Sequence, residues 1–219
     1  MIKQIAQSCF FGVLAAAIML APQPAEAAPL LNVGGPQDTG LTISAGQAAA
    51  VSFTLENTFN NVTIDASLTC VSCAGDIWFQ RNAIGSTASF GDALGAAAFS
   101  AATPHPYFNF ASLDAGLYFF IVSINSTSSG AVIWSGSTTP VIQSNGATRD
   151  VDFLATSTQP FVPLSNFSVE FGENLNYTVS GTAVTTVPEP ATWTLMVVGF
   201  LLVGCSLRRR HHGLLGRRA

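Results

Sequence analysis

The run from Leu117 to Ile124 places apolar side chains on both strand parities: Leu117, Phe119 and Ile121 on one, Tyr118, Phe120, Val122 and Ile124 on the other. Successive residues of a strand face opposite sides of its sheet, so such a run excludes water from both faces. It predicts either a central strand buried on both sides or a strongly packed edge of the core. Elsewhere the period is two. Val51, Phe53 and Leu55 alternate with smaller or polar residues, as do Val62, Ile64, Ala66 and Leu68, and Phe108 pairs with Phe110. Further strands are expected from Ala131 to Trp134, Val151 to Leu154, Phe167 to Phe171 and Leu175 to Val179. Gly, Asn, Ser and Thr clusters, such as Asn125 to Gly130 and Ser144 to Ala147, separate them. The stretch from Ala93 to Ala102 is Ala-rich enough for a short helix, although Gly95 opposes it. No fixed-period repeat is evident. The pattern predicts an all-β chain, an antiparallel β-sandwich or jelly roll.

Two apolar segments bound this region. Near the start, Lys3, an apolar stretch from Cys9 to Leu20, and the small-x-small triplet Ala25-Glu26-Ala27 read as a signal peptide over residues 1–27, cut after Ala27 by signal peptidase. The apolar stretch is short for a membrane helix, which makes a retained signal anchor the weaker alternative. Residues 28–187 then form one exported domain of ordinary size. In that stretch Arg81 and Arg149 face ten carboxylates and there is no lysine, a net charge of −8. The whole-chain value of −4 conceals this, because five of the eight basic residues lie near the end. An acidic domain without a basic stripe argues against nucleic-acid binding, whose affinity comes largely from neutralising phosphates.

The end of the chain has three parts. Pro188-Glu189-Pro190 restricts the backbone and keeps any helix from extending backwards, which leaves extended chain open to a protease. Residues 191–207 follow without a charge. As a helix they would span roughly 26 Å, near the short limit for a hydrocarbon core about 30 Å thick. Trp193 suits the headgroup level, and Arg208, Arg209 and Arg210 mark the cytoplasmic side and stop transfer, leaving residues 211–219 as a basic cytoplasmic tail.

Pro188-Glu189-Pro190 followed by two residues and Trp193, a Gly-interrupted apolar span and an arginine cluster together resemble the PEP-CTERM sorting signal, over residues 188–210. The resemblance implies recognition by an exosortase, a cysteine-dependent transpeptidase of the inner membrane of Gram-negative bacteria. It also implies removal of the tail and delivery of the protein to the cell surface or the exopolysaccharide of the extracellular matrix. The sequence departs from the pattern at Thr194, where Ala is usual, and by extending beyond the arginines. A plain membrane anchor is the alternative reading of the tail. Leu202-Val203-Gly204-Cys205 imitates a lipoprotein acylation box but lies at the wrong end of a C-terminal span. Leu113-Asp114-Ala115-Gly116-Leu117-Tyr118 loosely resembles the turn that leads into a Tyr-bearing strand in exported bacterial β-sandwich domains, and implies fold only.

Few residues in the exported region suggest chemistry. Cys70-Val71-Ser72-Cys73 has redox-dithiol spacing, but no strand-to-helix setting accompanies it, so a local structural disulfide between Cys70 and Cys73 is expected in an oxidising compartment. His105, between two prolines, lacks a recognisable nucleophile elbow. Asp150 and Asp152, two apart, would share one strand face; they could contribute to a Ca²⁺ site, or simply be solvated beside Arg149. Trp78, Tyr107 and Trp134 are candidates to stack on sugar rings. Asn61, Asn125, Asn166 and Asn176 each begin an Asn-x-Ser/Thr triplet and are expected to face solvent. No catalytic residue, cofactor or metal site is assigned. The expected function is that of a non-enzymatic exported envelope or exopolysaccharide-associated protein, with a glycan- or Ca²⁺-binding module as the alternative.

Overall fold

A computed structural model describes residues 27–71, 73–103, 107–126, 130–170, 174–184 and 195–203. The chain divides into two compact units, Glu26–Val184 and a second formed by Met1–Ala25 with Thr185–Ala219. In the second unit the described residues are 195–203, an exposed apolar helix. Among the described residues no helix is long and apolar enough to cross a membrane; both ends of the expected span 191–207 lie outside them. So do Ala25, Pro188, Glu189, Pro190, Trp193, Arg208, Arg209, Arg210 and His105, while Ala27 is exposed at the edge of the first strand.

The unit Glu26–Val184 is built of antiparallel strands. In chain order they are β1 (Ala28–Gly34), β2 (Thr39–Ile43), β3 (Ala48–Leu55), β4 (Phe59–Ala66), β5 (Leu68–Val71) and β6 (Ala74–Arg81). Then come β7 (Ala93–Ser100), β8 (Tyr107–Leu113), β9 (Gly116–Ile124), β10 (Ala131–Ser137) and β11 (Val141–Ser144). The last are β12 (Ala147–Ala155), β13 (Ser168–Glu170), β14 (Asn174–Leu175) and β15 (Tyr177–Ala183). One sheet has the order β11-β1-β15-β4-β8 and another β13-β12-β3-β9-β6-β7; a third holds β14-β10-β2, with β5 also paired to β10.

The all-β expectation holds, and the physical reason is the alternation itself. The inward parity of β1, β4 and β15 supplies Leu31, Ile64 and Val179, which meet Phe53, Phe79 and Phe120 of β3, β6 and β9 in one buried cluster that also takes in Val132 and Trp134 of β10. Each such side chain contributes about 1.5–3 kcal/mol when fully buried. Rings are concentrated there: Phe79 lies 5.4 Å from Tyr118 and 4.8 Å from Phe110, and Phe53 lies 6.0 Å from Tyr118.

β9 is the strand that the apolar run predicted, central in its sheet between β3 and β6 and buried on both sides. Phe120, Val122 and Ile124 enter the main core, whereas Phe119 and Ile121 turn to the other face. There they join Ala48, Ala50 and Ala155 under a lid drawn from residues 156–167, with Val162 and Phe167 packed down and Trp78 at the side. Gly75 of β6 must lack a Cβ, because one would run into the carbonyl oxygen of Ser123 and lie 2.9 Å from the Phe99 ring.

The Ala-rich stretch is a correction. It is the edge strand β7, paired with β6 from Ser100 opposite Ala74 to Ala93 opposite Gln80. Helix propensity is a weak prior, and here eight residues interrupted by Gly95 gain more from completing a ladder than from a short isolated helix.

Candidate functional site

The lid leaves a cleft of about 390 Å³ at one end of the sheet's outer face. Its floor is the parity of β6 and β9 that carries Asp76, Trp78 and Ser123; its walls include Asn125, Ser126, Ser157, Thr158 and Gln159. Backbone bonds hold the walls: Thr158 N–H donates to Gly46 O at 3.1 Å, and Gly46 N–H to Ile124 O at 3.1 Å. Ser123 Oγ donates to the carbonyl of Asp76 at 3.0 Å, and Gln159 N–H donates to Ser165 Oγ at 3.0 Å. The side chains of Asp76, Asn125 and Gln159 therefore stand on anchored backbone.

Trp78 is half-buried, with its ring edge-on to Phe161 at 5.2 Å and 83°. Among the described residues its indole N–H is buried without an acceptor, an arrangement that costs on the order of 1–3 kcal/mol. Phe161 in turn lies 4.4 Å from Phe90, which is 70% exposed. Gln159 and Pro160 line both the cleft and the shallow apolar hollow of Phe90, Phe161 and Leu164, so the polar cleft and the aromatic strip form one continuous surface. Phe90 is set by a capping box in which Asp92 accepts from the backbone N–H and hydroxyl of Ser89, at 3.0 and 2.6 Å. These bonds, with one from Asn82, hold the Asp92 carboxyl below its ordinary range.

Hydroxyls, amides, one carboxylate and an aromatic strip can take sugar hydroxyls and the apolar faces of sugar rings, as aromatic platforms with a polar rim do. Sequence reasoning found Trp78 but missed Phe90 and Phe161. They come from separate turns, and only the fold brings them beside β6.

The other candidates fall elsewhere. Trp134 is fully buried: its Nε1 donates to Asn176 O at 2.9 Å and its ring meets Phe120 edge-on at 5.7 Å, so it presents no face to a sugar. Tyr107 is exposed on β8, in a different sheet from the cleft. Asn176 is buried, contrary to the expectation that its triplet faces solvent, because its backbone bridges Ser67 and Ser135 between strands. Cys70 and Cys73 are joined in a disulfide, Cα atoms 5.7 Å apart, where the chain passes from β5 in one sheet to β6 in another.

Asp150 and Asp152 do not share a face. A bulge in β12, between Arg149 opposite Phe53 and Asp152 opposite Val51, inserts one residue and reverses the parity. The Ser52 hydroxyl closes it, donating to Val151 O at 3.0 Å and accepting from Val151 N–H at 3.1 Å. Asp150 stays exposed and accepts from Thr54 Oγ1, whereas the Asp152 side chain is 1% exposed and pairs with Arg149 at 2.9 Å. Its Oδ2 also accepts from Leu175 N–H at 3.1 Å. Burial raises its pKa despite Arg149, and burial with the nearby Asp152 charge pushes the Tyr177 phenol up too. The pair ties β12 to β14; it is neither a solvated face nor a shared cation site. Among the described residues no cluster of three or more His, Cys, Asp or Glu could hold a metal.

No family model matches the chain, and no curated protein matches it.

Proposed function

We propose that this is an exported, non-enzymatic protein of the cell envelope or exopolysaccharide, delivered by exosortase recognition of residues 188–210. The three-part tail carries the reading: a Pro-Glu-Pro segment with Trp193 beyond it, an uncharged apolar stretch and an arginine stop. The exposed apolar helix at residues 195–203, with Leu195, Phe200 and Leu201 among its exposed side chains, fits part of a membrane-inserted segment. The Cys70–Cys73 disulfide fits an oxidising compartment. We read the β unit as a sandwich, with the β1-β15-β4 and β3-β9-β6 faces supplying one core.

Intact mass of the mature protein, in cells with and without the exosortase, tests the reading. A product lacking Trp193 to Arg210 only when the exosortase is present supports it. A mature form that keeps those residues in both strains overturns it.

The Trp78 cleft favours a second reading for the delivered domain, that of a glycan-binding module. Loss of exopolysaccharide binding in Trp78→Ala supports this, and unchanged binding removes it.

A further inference from the structure

Resting on the glycan-binding reading of the Trp78 cleft, we infer that this surface selects neutral glycan chains and turns acidic ones away. Charge decides the sign. Among the described residues, Asp76 is the one ionisable side chain lining the cleft, and neither Arg81 nor Arg149 lines it. At the other end of the aromatic strip Asp92 sits two residues from Phe90 in the same 3-10 turn, held ionised by Ser89 and Asn82. A carboxylate stands at each end of the strip, in a domain of net charge −8. Among the described residues no cation lines the cleft or the hollow, and Arg81, whose charge reaches Asp92, lines neither. A uronate or sulfate laid on the strip meets like charge and no guanidinium in the surface that lines it. A neutral sugar meets hydroxyls, amides and carboxylate oxygens that accept its hydroxyl protons, together with rings for its apolar face.

The neighbouring edge strand extends the surface. Ala98 lies opposite Asp76 and Ala96 opposite Trp78, and both alanines are exposed. Their small side chains leave the outer side of Trp78 unobstructed, so a chain longer than the cleft can continue across β7. The ligand class is therefore an extended neutral polysaccharide segment.

The test is a glycan array carrying neutral oligosaccharides alongside uronate-containing and sulfated chains, probed with the full-length protein in detergent at low and raised salt. Affinities of the hits are then measured by calorimetry. Neutral hits are expected, with Trp78→Ala weakening them about tenfold or more and the exposed Phe90→Ala, which puts folding at little risk, several-fold. Acidic chains should bind weakly at low salt and better as salt screens the carboxylates. Asp76→Asn should improve acidic binding about fivefold relative to neutral. Acidic chains binding as tightly as neutral ones at low salt would overturn the selectivity while leaving glycan binding in place. Neutral binding untouched by both aromatic variants would remove the site, and an array without hits would remove both inferences.

Discussion

Arg149→Met is the sharpest probe of how the fold closes around β12. The substitution keeps an unbranched chain of similar length against the sheet but strips the guanidinium from Asp152, whose side chain is 1% exposed and whose Oδ1 already lacks a partner among the described residues. Breaking a buried pair from one side costs about 3–5 kcal/mol because the remaining charge is uncompensated. Arg149 keeps 18% of its side chain exposed, which places the loss toward the lower end. That is a large share of a typical total of 5–15 kcal/mol. The sign of the pH dependence follows from the carboxyl. Asp152 has a folded pKa raised above its ordinary 3.8 by burial, with Arg149 the main opposing influence. Between the unfolded and folded values the native state binds more protons, so the group's contribution is fully present below the unfolded pKa and is lost as pH rises through the folded one. Removing Arg149 raises the folded value further and steepens that loss. Urea unfolding followed by tryptophan fluorescence, repeated across pH 4 to 8, should show Arg149→Met nearly as stable as the parent at the acid end and about 3 kcal/mol weaker at neutral pH. Adding Asp152→Asn should flatten the pH dependence and recover part of the loss, since the amide can still accept from Leu175 N–H. A pH-independent penalty in Arg149→Met, or one under about 1 kcal/mol, would refute the account.

Other substitutions separate buried from exposed roles. Trp134→Ala should cost about 3–5 kcal/mol through the cavity and the lost bond to Asn176, against under about 1 kcal/mol for Phe90→Ala; denaturation midpoints compare them. Cys70→Ser should cost about 2 kcal/mol or less, because a bridge across so short a loop removes little unfolded-chain entropy, and reductant should produce the same shift in melting temperature in the parent but none in the variant. Gly75→Ala should destabilise by at least about 1–3 kcal/mol by forcing β6 away from β9, visible as early hydrogen exchange of the β6 and β9 amides.

The strands were legible where local pattern and tertiary role agree. Val62, Ile64 and Ala66 alternate because one face of β4 meets the core, and the double-faced run at Leu117 to Ile124 announced a sheet covered on both sides. What covers the second side was not legible: Phe161, Val162 and Leu164 stand in a Pro-interrupted stretch with no period, and only the fold gives them roles, Phe161 against Trp78 and Phe90, Val162 on the Phe119 and Ile121 cluster, and Leu164 lining the hollow. The bulge in β12 escaped for a related reason. Asp150 and Asp152 keep a two-residue spacing in the sequence, but the residue that breaks their parity is fixed by Ser52, 99 positions earlier. Trp134 looked like a stacking platform until its N–H found a carbonyl 42 residues away. Local periodicity reports which faces are dry; pairings at such separations decide which polar groups survive inside.

The same logic links the cleft to the fold that made it legible only in part. A strand apolar on both parities obliges the chain to build a second, smaller core over Phe119 and Ile121, and residues 156–167 are long enough to cover those side chains without reaching the end of the sheet. Where the cover stops, Trp78 is left half-buried at its margin and Asp76, two residues earlier on the same parity, reaches solvent. The cleft is thus the boundary of a hydrophobic cover, apolar on the side of Phe161 and polar on the side of Ser123 and Asn125. An amphipathic ligand with an apolar ring face and hydroxyl edges matches that boundary.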